Sequence, residues 1–395
     1  MNRPEFPRSD AAVPAIQTLD DCETPCLLID RGKLDANIAL MRDRARELGV
    51  ALRPHMKTAK SIEVARLATD AADPRITVST LKEADYFAAA GIGDILYAVG
   101  MAPNKLAHAA SLRQEGVQLT VLVDNLAAAR AVGEAAERYG VRFPVLIEID
   151  TDGHRAGFKP SDPAVVELAR AIDSHPGLDL RGVMTHAGAS YDVADVGAIA
   201  DIAEQERAGA VQAAAAIRAA GMDCPEVSVG STPTARYARS LEGVTELRAG
   251  VYMFFDLVMA GLGVCRPEDI ALSVLATVIG HRPDQGWVIV DAGWMALSRD
   301  RGTAEQAVDQ GYGAVCDRSG RLLADVIVIG ANQEHGMLAR RGDGPPLRPE
   351  DFPVGSQVRI LPNHACATAA QHGGYFLVDG PSPEVLGEWS RINGW

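Results

Sequence analysis

Residues 145–157 read VLIEIDTDGHRAG, a short apolar run that leads into a turn of charged and small residues. An amphipathic helical stretch follows at 163–174. Similar apolar runs recur at 50–53, 76–79, 95–99, 119–123, 182–185, 226–229 and 246–249. Strand and helix alternating eight times predict an α/β fold of the (β/α)8 TIM-barrel type. The alternative is a doubly wound open sheet, but no GxGxxG motif follows the early strands, which disfavours its dinucleotide-binding form.

The pattern changes after about residue 268. Apolar runs at 270–279, 287–291, 326–329, 358–361 and 375–378 are separated by Gly, Pro and Asp turns, and long helices are absent. This pattern predicts a second, mainly antiparallel β domain. We therefore expect an N-terminal segment over 1–30 whose run Pro25–Ile29 joins the β domain, a barrel over 31–268, and the β domain over 269–395.

Composition excludes several classes of partner. The chain has 395 residues and a net charge of −14, which argues against nucleic acid and anionic membranes. No apolar run reaches the roughly 18 residues of a spanning helix, and residues 1–23 lack the apolar core of a secretory signal. The six cysteines are scattered, without a CxxC pair. We expect a cytoplasmic protein without a disulfide framework.

Chemically useful residues follow the strands, where the active sites of such barrels lie. Lys57 closes the first barrel strand in the stretch RPHMKTAK, 53–60, beside His55. A partly desolvated lysine can form a Schiff base with a carbonyl cofactor. The alternative for a lone lysine is an ordinary surface position. The residues at the other strand ends therefore decide between a cofactor-binding lysine and a surface one.

The fifth and sixth strand ends carry Arg155, His186 and Tyr191. Arg155 can bond a phenolic oxygen of the cofactor, or instead pair with Asp150 or Asp152. His186 and Tyr191, set among small residues, can flank a flat ring; the alternative is a packed turn with a satisfied histidine.

The seventh strand ends in VGSTPT, 229–234, where Gly230, Ser231 and Thr232 open a helix. Backbone N–H groups, hydroxyls and the helix dipole favour a phosphate here, although Ser or Thr also serves as a simple helix cap. At the eighth strand end Tyr252 can meet a pyridine nitrogen, or it can pack in the core.

The second domain contains PNHAC, residues 362–366. In an extended segment His364 and Cys366 point to one face, so they can bind one metal ion, and imidazole plus thiolate favours Zn²⁺. The alternative is a buried cysteine beside a structural histidine. Upstream, His335 can supply an acid–base group or a group that bonds to a metal ligand.

The stretches RPHMKT, VGSTPT and PNHAC, in this order and spacing, resemble the D-serine dehydratase / D-threonine aldolase family. This branch of the fold-type III pyridoxal 5′-phosphate (PLP) enzymes has an alanine racemase-like N-terminal barrel. The resemblance implies PLP on Lys57, a divalent ion (Zn²⁺, alternatively Mn²⁺) on His364 and Cys366, and a head-to-tail homodimer. Alanine racemases place an arginine at the pyridine nitrogen, where this branch has a tyrosine, matched by Tyr252. The family commonly has a histidine where this chain has Ala59.

The resemblance also implies the chemistry. His-x-Cys is typical of the dehydratase-like members and His-x-Asp of the aldolase-like ones, so Cys366 favours β-elimination on a 3-hydroxy D-amino acid, giving a 2-oxo acid and ammonia. We expect Lys57, Tyr191 and His335 to be catalytic. The alternatives are retro-aldol cleavage to glycine and an aldehyde, and a non-catalytic PLP-binding protein. The choice among D-serine, D-threonine and D-3-hydroxyaspartate stays open.

Overall fold

The computed structural model describes residues 16–193, 195–342 and 344–395. The strands in this part of the chain are β1 (Cys26–Asp30), β2 (Ala51–Pro54), β3 (Arg75–Val78), β4 (Asp94–Gly100), β5 (Gln118–Val123), β6 (Phe143–Ile149), β7 (Leu178–Thr185), β8 (Glu226–Val229), β9 (Glu246–Ala249), β10 (Leu272–Arg282), β11 (Trp287–Val290), β12 (Ala314–Asp317), β13 (Leu322–Ala331), β14 (Gly336–Arg340), β15 (Gln357–Leu361), β16 (Gly374–Val378) and β17 (Gly387–Ser390).

The helices in the same ranges are α1 (Arg31–Glu47), α2 (Ile62–Ala68), α3 (Leu81–Ala89), α4 (Leu106–Gln114), α5 (Leu126–Tyr139), α6 (Ala164–Asp173), α7 (Val196–Ala219), α8 (Thr232–Tyr237), α9 (Leu257–Gly261), α10 (Trp294–Leu297) and α11 (Ala365–Ala369). None of the described helices is long and apolar enough to span a bilayer.

The eight strands β2 to β9 form a parallel sheet in the order β2-β9-β8-β7-β6-β5-β4-β3. An isolated parallel bridge between His55 and Thr77 joins its two ends, and the Met56 N–H donates to the Thr77 carbonyl at 2.8 Å. The sheet therefore closes into a barrel, and all eight predicted strands belong to it. The predicted fold class is confirmed.

Nine strands form a second sheet, in the order β11-β14-β13-β12-β15-β10-β1-β16-β17. Every described pairing in it is antiparallel except β1 with β16. Leu28 in β1 lies opposite Ser273 in β10 and Phe376 in β16, so the N-terminal run joins this sheet. The boundaries at residues 30 and 268 stay predictions.

Charged side chains fill part of the barrel interior. Arg53 on β2 donates to Glu246 on β9 at 2.6 Å, and both side chains are buried. Glu246 also accepts from Ser228 on β8 at 2.6 Å. Buried charges are tolerated when they are paired and hydrogen-bonded. This network ties β2, β8 and β9 together inside the barrel.

The second domain packs against the loop that carries Lys57. The Tyr375 hydroxyl donates to the Ala59 carbonyl at 2.6 Å, and the Ile392 N–H donates to the Lys60 carbonyl at 3.1 Å. Residues 362–366 also bond to the barrel, as described below, so the chain's own second domain reaches the barrel mouth.

Candidate active site

A cavity of about 460 Å³ lies at the C-terminal ends of the barrel strands and is closed on one side by the second domain. Barrels of this type place ligands at this end. The cavity is lined by all the predicted site residues except Tyr252 and His335. These lining residues are His55, Lys57, Arg155, His186, Tyr191, Gly230, Ser231, Thr232, His364 and Cys366.

Lys57 is the lysine that lines this cavity, on the turn after β2. Its neighbour Lys60 forms an ion pair with buried Glu83 at 3.2 Å, and Lys105 bonds the Tyr97 hydroxyl at 3.0 Å. A lysine bound in this way is not available to a ligand. Lys57 is itself exposed, and it differs from an ordinary surface lysine in lining this cavity, so its role stays a prediction.

His186 forms one wall of the cavity as a neutral ring. Its Nδ1 lies 2.9 Å from the Gly230 carbonyl oxygen, and a carbonyl only accepts, so Nδ1 carries the proton. Burial, aided by the charge of Lys57, lowers the pKa of His186 to about 3. The Tyr191 ring lies 6.2 Å away, centroid to centroid. Burial raises the pKa of Tyr191, so its phenol keeps its proton.

Ser231 is a helix cap, as the alternative for this stretch held. Its hydroxyl accepts from the Thr234 N–H at 3.1 Å and lies 2.9 Å from the Ser190 hydroxyl. Those bonds fix the first turn of α8 against the cavity wall. They do not use the N–H of Thr232, the next residue.

Backbone donors remain free at this end of the cavity. The N–H groups of Gly250 and Val251 have no hydrogen-bond partner among the described residues, the Thr232 N–H faces the Tyr191 hydroxyl, and all three residues line the cavity. At Gly250 a Cβ would lie 2.8 Å from the His55 carbonyl oxygen, so only glycine allows this close approach. Converging free N–H groups are what a phosphate requires. The arrangement fits the phosphate of PLP.

Arg155 lines the mouth of the cavity and lies 3.4 Å from Glu148, not Asp150 or Asp152. Its side chain is 56% exposed, so it can still turn to a ligand. The Asp150 carboxylate instead accepts the N–H of Gly153 at 2.8 Å within the turn.

Two predicted residues lie elsewhere. Tyr252 is fully buried, does not line the cavity, and its hydroxyl has no partner among the described residues. The short turn Val251–Met253 after β9 directs this side chain into the core, as the packing alternative held. The placement of Tyr252 at a pyridine nitrogen stays a prediction. His335 is exposed on the turn between β13 and β14, away from the cavity of its own chain.

Sequence reasoning missed Glu206 and Arg248. Glu206 on α7 is buried and accepts the N–H groups of Ala187 and Gly230, each at 3.0 Å, so it holds two strand ends in place. Burial raises its pKa. Arg248 on β9 lines the cavity and donates to Ser228 at 2.6 Å. Glu206 interrupts the apolar face of an Ala-rich helix, which is a signal for a buried polar contact.

His364 and Cys366 face the same cavity as Lys57. The Asp256 carboxylate accepts the intervening Ala365 N–H at 2.9 Å, which ties this segment to the barrel. The Cys366 sulfur lies 3.1 Å from the Thr58 hydroxyl. Burial alone would raise the pKa of the Cys366 thiol, but contact with His364 holds it below its usual value.

The His364 Nδ1 lies 2.6 Å from Asp300. Burial opposes protonation of this ring, yet Asp300 and Cys366 raise its pKa to about 11. Within the described residues, no cluster of three or more His, Cys, Asp or Glu side chains can hold a metal ion. This chain thus offers two adjacent ligands, one nitrogen and one sulfur. That donor set suits zinc and leaves positions open for water or substrate.

Comparison with known proteins agrees with this architecture. Residues 29–258 match the family model "Alanine racemase, N-terminal domain", and residues 271–378 match "Putative serine dehydratase domain". The chain therefore belongs to the alanine racemase-like barrel proteins. The attached dehydratase domain and the relatives below identify the narrower group: it is a member of the D-serine dehydratase / D-threonine aldolase family.

The chain is 54% identical to D-threo-3-hydroxyaspartate dehydratase of Delftia sp. (strain HT23), over 96% of this chain and 99% of that one. A structure of that enzyme superposes with a TM-score of 0.93 and covers 96% of this chain and 100% of its own. D-serine dehydratase of Dictyostelium discoideum is 30% identical, over 95% of this chain and 98% of its own. D-threonine aldolase from Filomicrobium marinum has 28% identity and a TM-score of 0.80, covering 96% and 98%.

Proposed function

We propose that this protein is a PLP- and divalent metal-dependent lyase that eliminates the β-hydroxyl of 3-hydroxy D-amino acids, D-threo-3-hydroxyaspartate first among them. The products are a 2-oxo acid and ammonia. The observation that carries the proposal is a single cavity with Lys57 on the barrel side and the pair His364 and Cys366 on the other. A substrate held between them presents Cα to the lysine and its β-hydroxyl to the metal ligands.

PLP would be held by Lys57, with its phosphate at the free N–H groups of Gly250 and Val251 and beside Thr232. When bound, PLP supplies an electron sink for the charge left on Cα. His186 and Tyr191 line the space for its ring, and Arg155 at the mouth can turn to its phenolic oxygen. Gly230 and Ser231 shape the phosphate end, and the His55 Nδ1 lies 3.4 Å from the Lys57 backbone nitrogen.

Lys57 is the base that removes the α-proton. Lys57 lines the cavity, and the nearby His186 is neutral, so this ring adds no positive charge beside the amine. Tyr191 keeps its phenolic proton next to the metal ligands and can donate a hydrogen bond to the departing oxygen.

Zn²⁺ would be held by His364 and Cys366, with Mn²⁺ as the alternative ion. Bound there, it would act as a Lewis acid on the β-hydroxyl. A cysteine-to-alanine mutant of D-threo-3-hydroxyaspartate dehydratase, in the metal-free form, has 53% identity and a TM-score of 0.92 over 96% of this chain and 100% of that one. This supports a metal site in which a cysteine takes part.

Retro-aldol cleavage is the second candidate, because 3-hydroxy-D-aspartate aldolase of Paracoccus denitrificans is 29% identical over 95% of this chain. The test is the product formed from D-threo-3-hydroxyaspartate by purified protein with PLP and Zn²⁺. Elimination gives oxaloacetate and ammonia, which a malate dehydrogenase coupling detects; cleavage gives glyoxylate and glycine. Glyoxylate as the main product would refute the dehydratase proposal, and neither product would indicate a PLP-binding protein without turnover.

We also propose a cytoplasmic, head-to-tail homodimer. Exposed apolar side chains on the second domain, including Met295, Val308 and Ile329, suit a protein contact. His335, exposed near this face, would then be available to the partner's site. Sedimentation at assay concentration tests this: a fully active monomer would refute it.

A further inference from the structure

Asp300 lies on the loop between α10 and β12 and lines the cavity beside His364. Its two carboxylate oxygens have different partners. Oδ1 accepts the Gly302 N–H at 2.9 Å, which holds the carboxylate within its own loop. Oδ2 lies 2.6 Å from the His364 Nδ1. The short distance is typical of a charge-assisted hydrogen bond.

This contact decides which nitrogen of His364 carries a proton. A carboxylate oxygen accepts and does not donate, so Nδ1 must be the protonated nitrogen. In the neutral ring, Nε2 then has the free lone pair. The bond also limits rotation of the ring, which is within hydrogen-bonding reach of Cys366.

We propose that Asp300 is a positioning residue for the metal site: it holds His364 in the tautomer and orientation in which Nε2 binds the ion. This inference rests on the metal site of the proposed function. Metal-binding histidines in other proteins use a carboxylate on the second nitrogen in the same way, and loss of it commonly weakens metal affinity about 10–100-fold.

A purely structural role in the loop is the competing explanation, and Asp300→Asn separates the two. An asparagine Oδ1 can keep the bond to the Gly302 N–H. Its NH₂ group then faces Nδ1 of His364, and because NH₂ only donates, it favours the tautomer with the proton on Nε2. That tautomer cannot bind a metal through Nε2. The variant therefore preserves the hydrogen bond within the loop and changes only the tautomer of the metal ligand His364.

The experiment measures the zinc dissociation constant of the PLP-loaded protein by competition with a chromophoric chelator. We expect Asp300→Asn to weaken zinc binding about 10–100-fold while the absorbance of bound PLP is unchanged. Glu305→Gln, which removes an exposed carboxylate from the same loop, is the matched control and should bind zinc like wild type. Asp300→Ala should show a loss of similar size.

Wild-type zinc affinity in Asp300→Asn would overturn the positioning role, whether or not Asp300→Ala folds. Failure of the proposed function has a different signature. If Cys366→Ala leaves zinc affinity unchanged, the metal site itself is refuted. If zinc binds at Cys366 but wild type releases no ammonia from D-threo-3-hydroxyaspartate, the dehydratase function is refuted and the role of Asp300 at the metal still stands.

Discussion

Gly230→Ala is the substitution whose cost follows most directly from the structure. Gly230 directly follows β8 with a φ of +134°, a conformation that residues with a Cβ rarely adopt. A Cβ built there would lie 2.1 Å from the carbonyl oxygen of Arg248 on the neighbouring strand β9. That atom belongs to a paired barrel strand, so it cannot move aside without disturbing the sheet.

The expected loss of stability has two parts. The backbone strain costs about 1–3 kcal/mol, and overpacking against a rigid carbonyl costs about another 1–3 kcal/mol. Displacement of Gly230 would also stretch its bonds to Glu206 and His186, at 3.0 and 2.9 Å. We therefore expect a destabilisation of about 4 kcal/mol, together with weaker PLP binding, because both bonds shape the cavity.

The assay is equilibrium urea unfolding of the PLP-free protein, followed by circular dichroism and tryptophan fluorescence, with a PLP titration in parallel. Gly140→Ala is the matched control: Gly140 ends α5 with a φ of +64° and has no atom within 4 Å of a built Cβ. It should lose only about 1 kcal/mol and bind PLP normally. Equal losses in the two variants would refute the argument from the Arg248 contact.

Borohydride reduction of the PLP-loaded protein should attach the cofactor to Lys57, and a peptide map that places it on Lys60 would remove the basis of the site, since Lys60 is ion-paired. Cys366→Ala should abolish most elimination activity while exchange of the substrate α-proton continues slowly. The control Cys265→Ala, outside the cavity, should behave like wild type in both assays. Full elimination by Cys366→Ala in chelator would contradict the metal role. The pKa of His186 is about 3 in the folded PLP-free protein and about 6.5 when unfolded. Between these values only the unfolded chain protonates this ring, so the stability present above pH 6.5 is lost as pH falls toward 3. Urea unfolding at pH 7.5 and 5.5 should show wild type losing about 1.4 kcal/mol more than His186→Asn, and parallel losses would show that His186 is not buried in its neutral form.

Local patterns in the sequence predicted much of the architecture. Eight strand runs and the change of pattern near residue 268 predicted the barrel and the second sheet, because period and turn residues are local properties of the chain. The same reasoning placed Lys57 and His186 together, because residues after parallel strands converge at one end of a barrel, whereas Cys366 was singled out by its spacing from His364 in the second domain. The sequence did not predict the direction of the side chains that follow the last barrel strand. Tyr252 belongs to a run of apolar residues, and the geometry of the turn Val251–Met253 decides which of their side chains faces the cavity. The Tyr252 side chain faces the core.

The remaining features depend on contacts between residues far apart in the chain. Asp300 is 64 residues from His364, and nothing local distinguishes it from other loop aspartates. Glu206 holds strand ends 19 and 24 residues away. The closeness of the second domain to Lys57 likewise depends on single bonds such as that from Tyr375 to Ala59. The sequence by itself determined which chemistry is present and on which strand ends it lies, because those are local properties. The tertiary structure decided which side chains share the cavity and which groups orient them, because that depends on how distant segments pack.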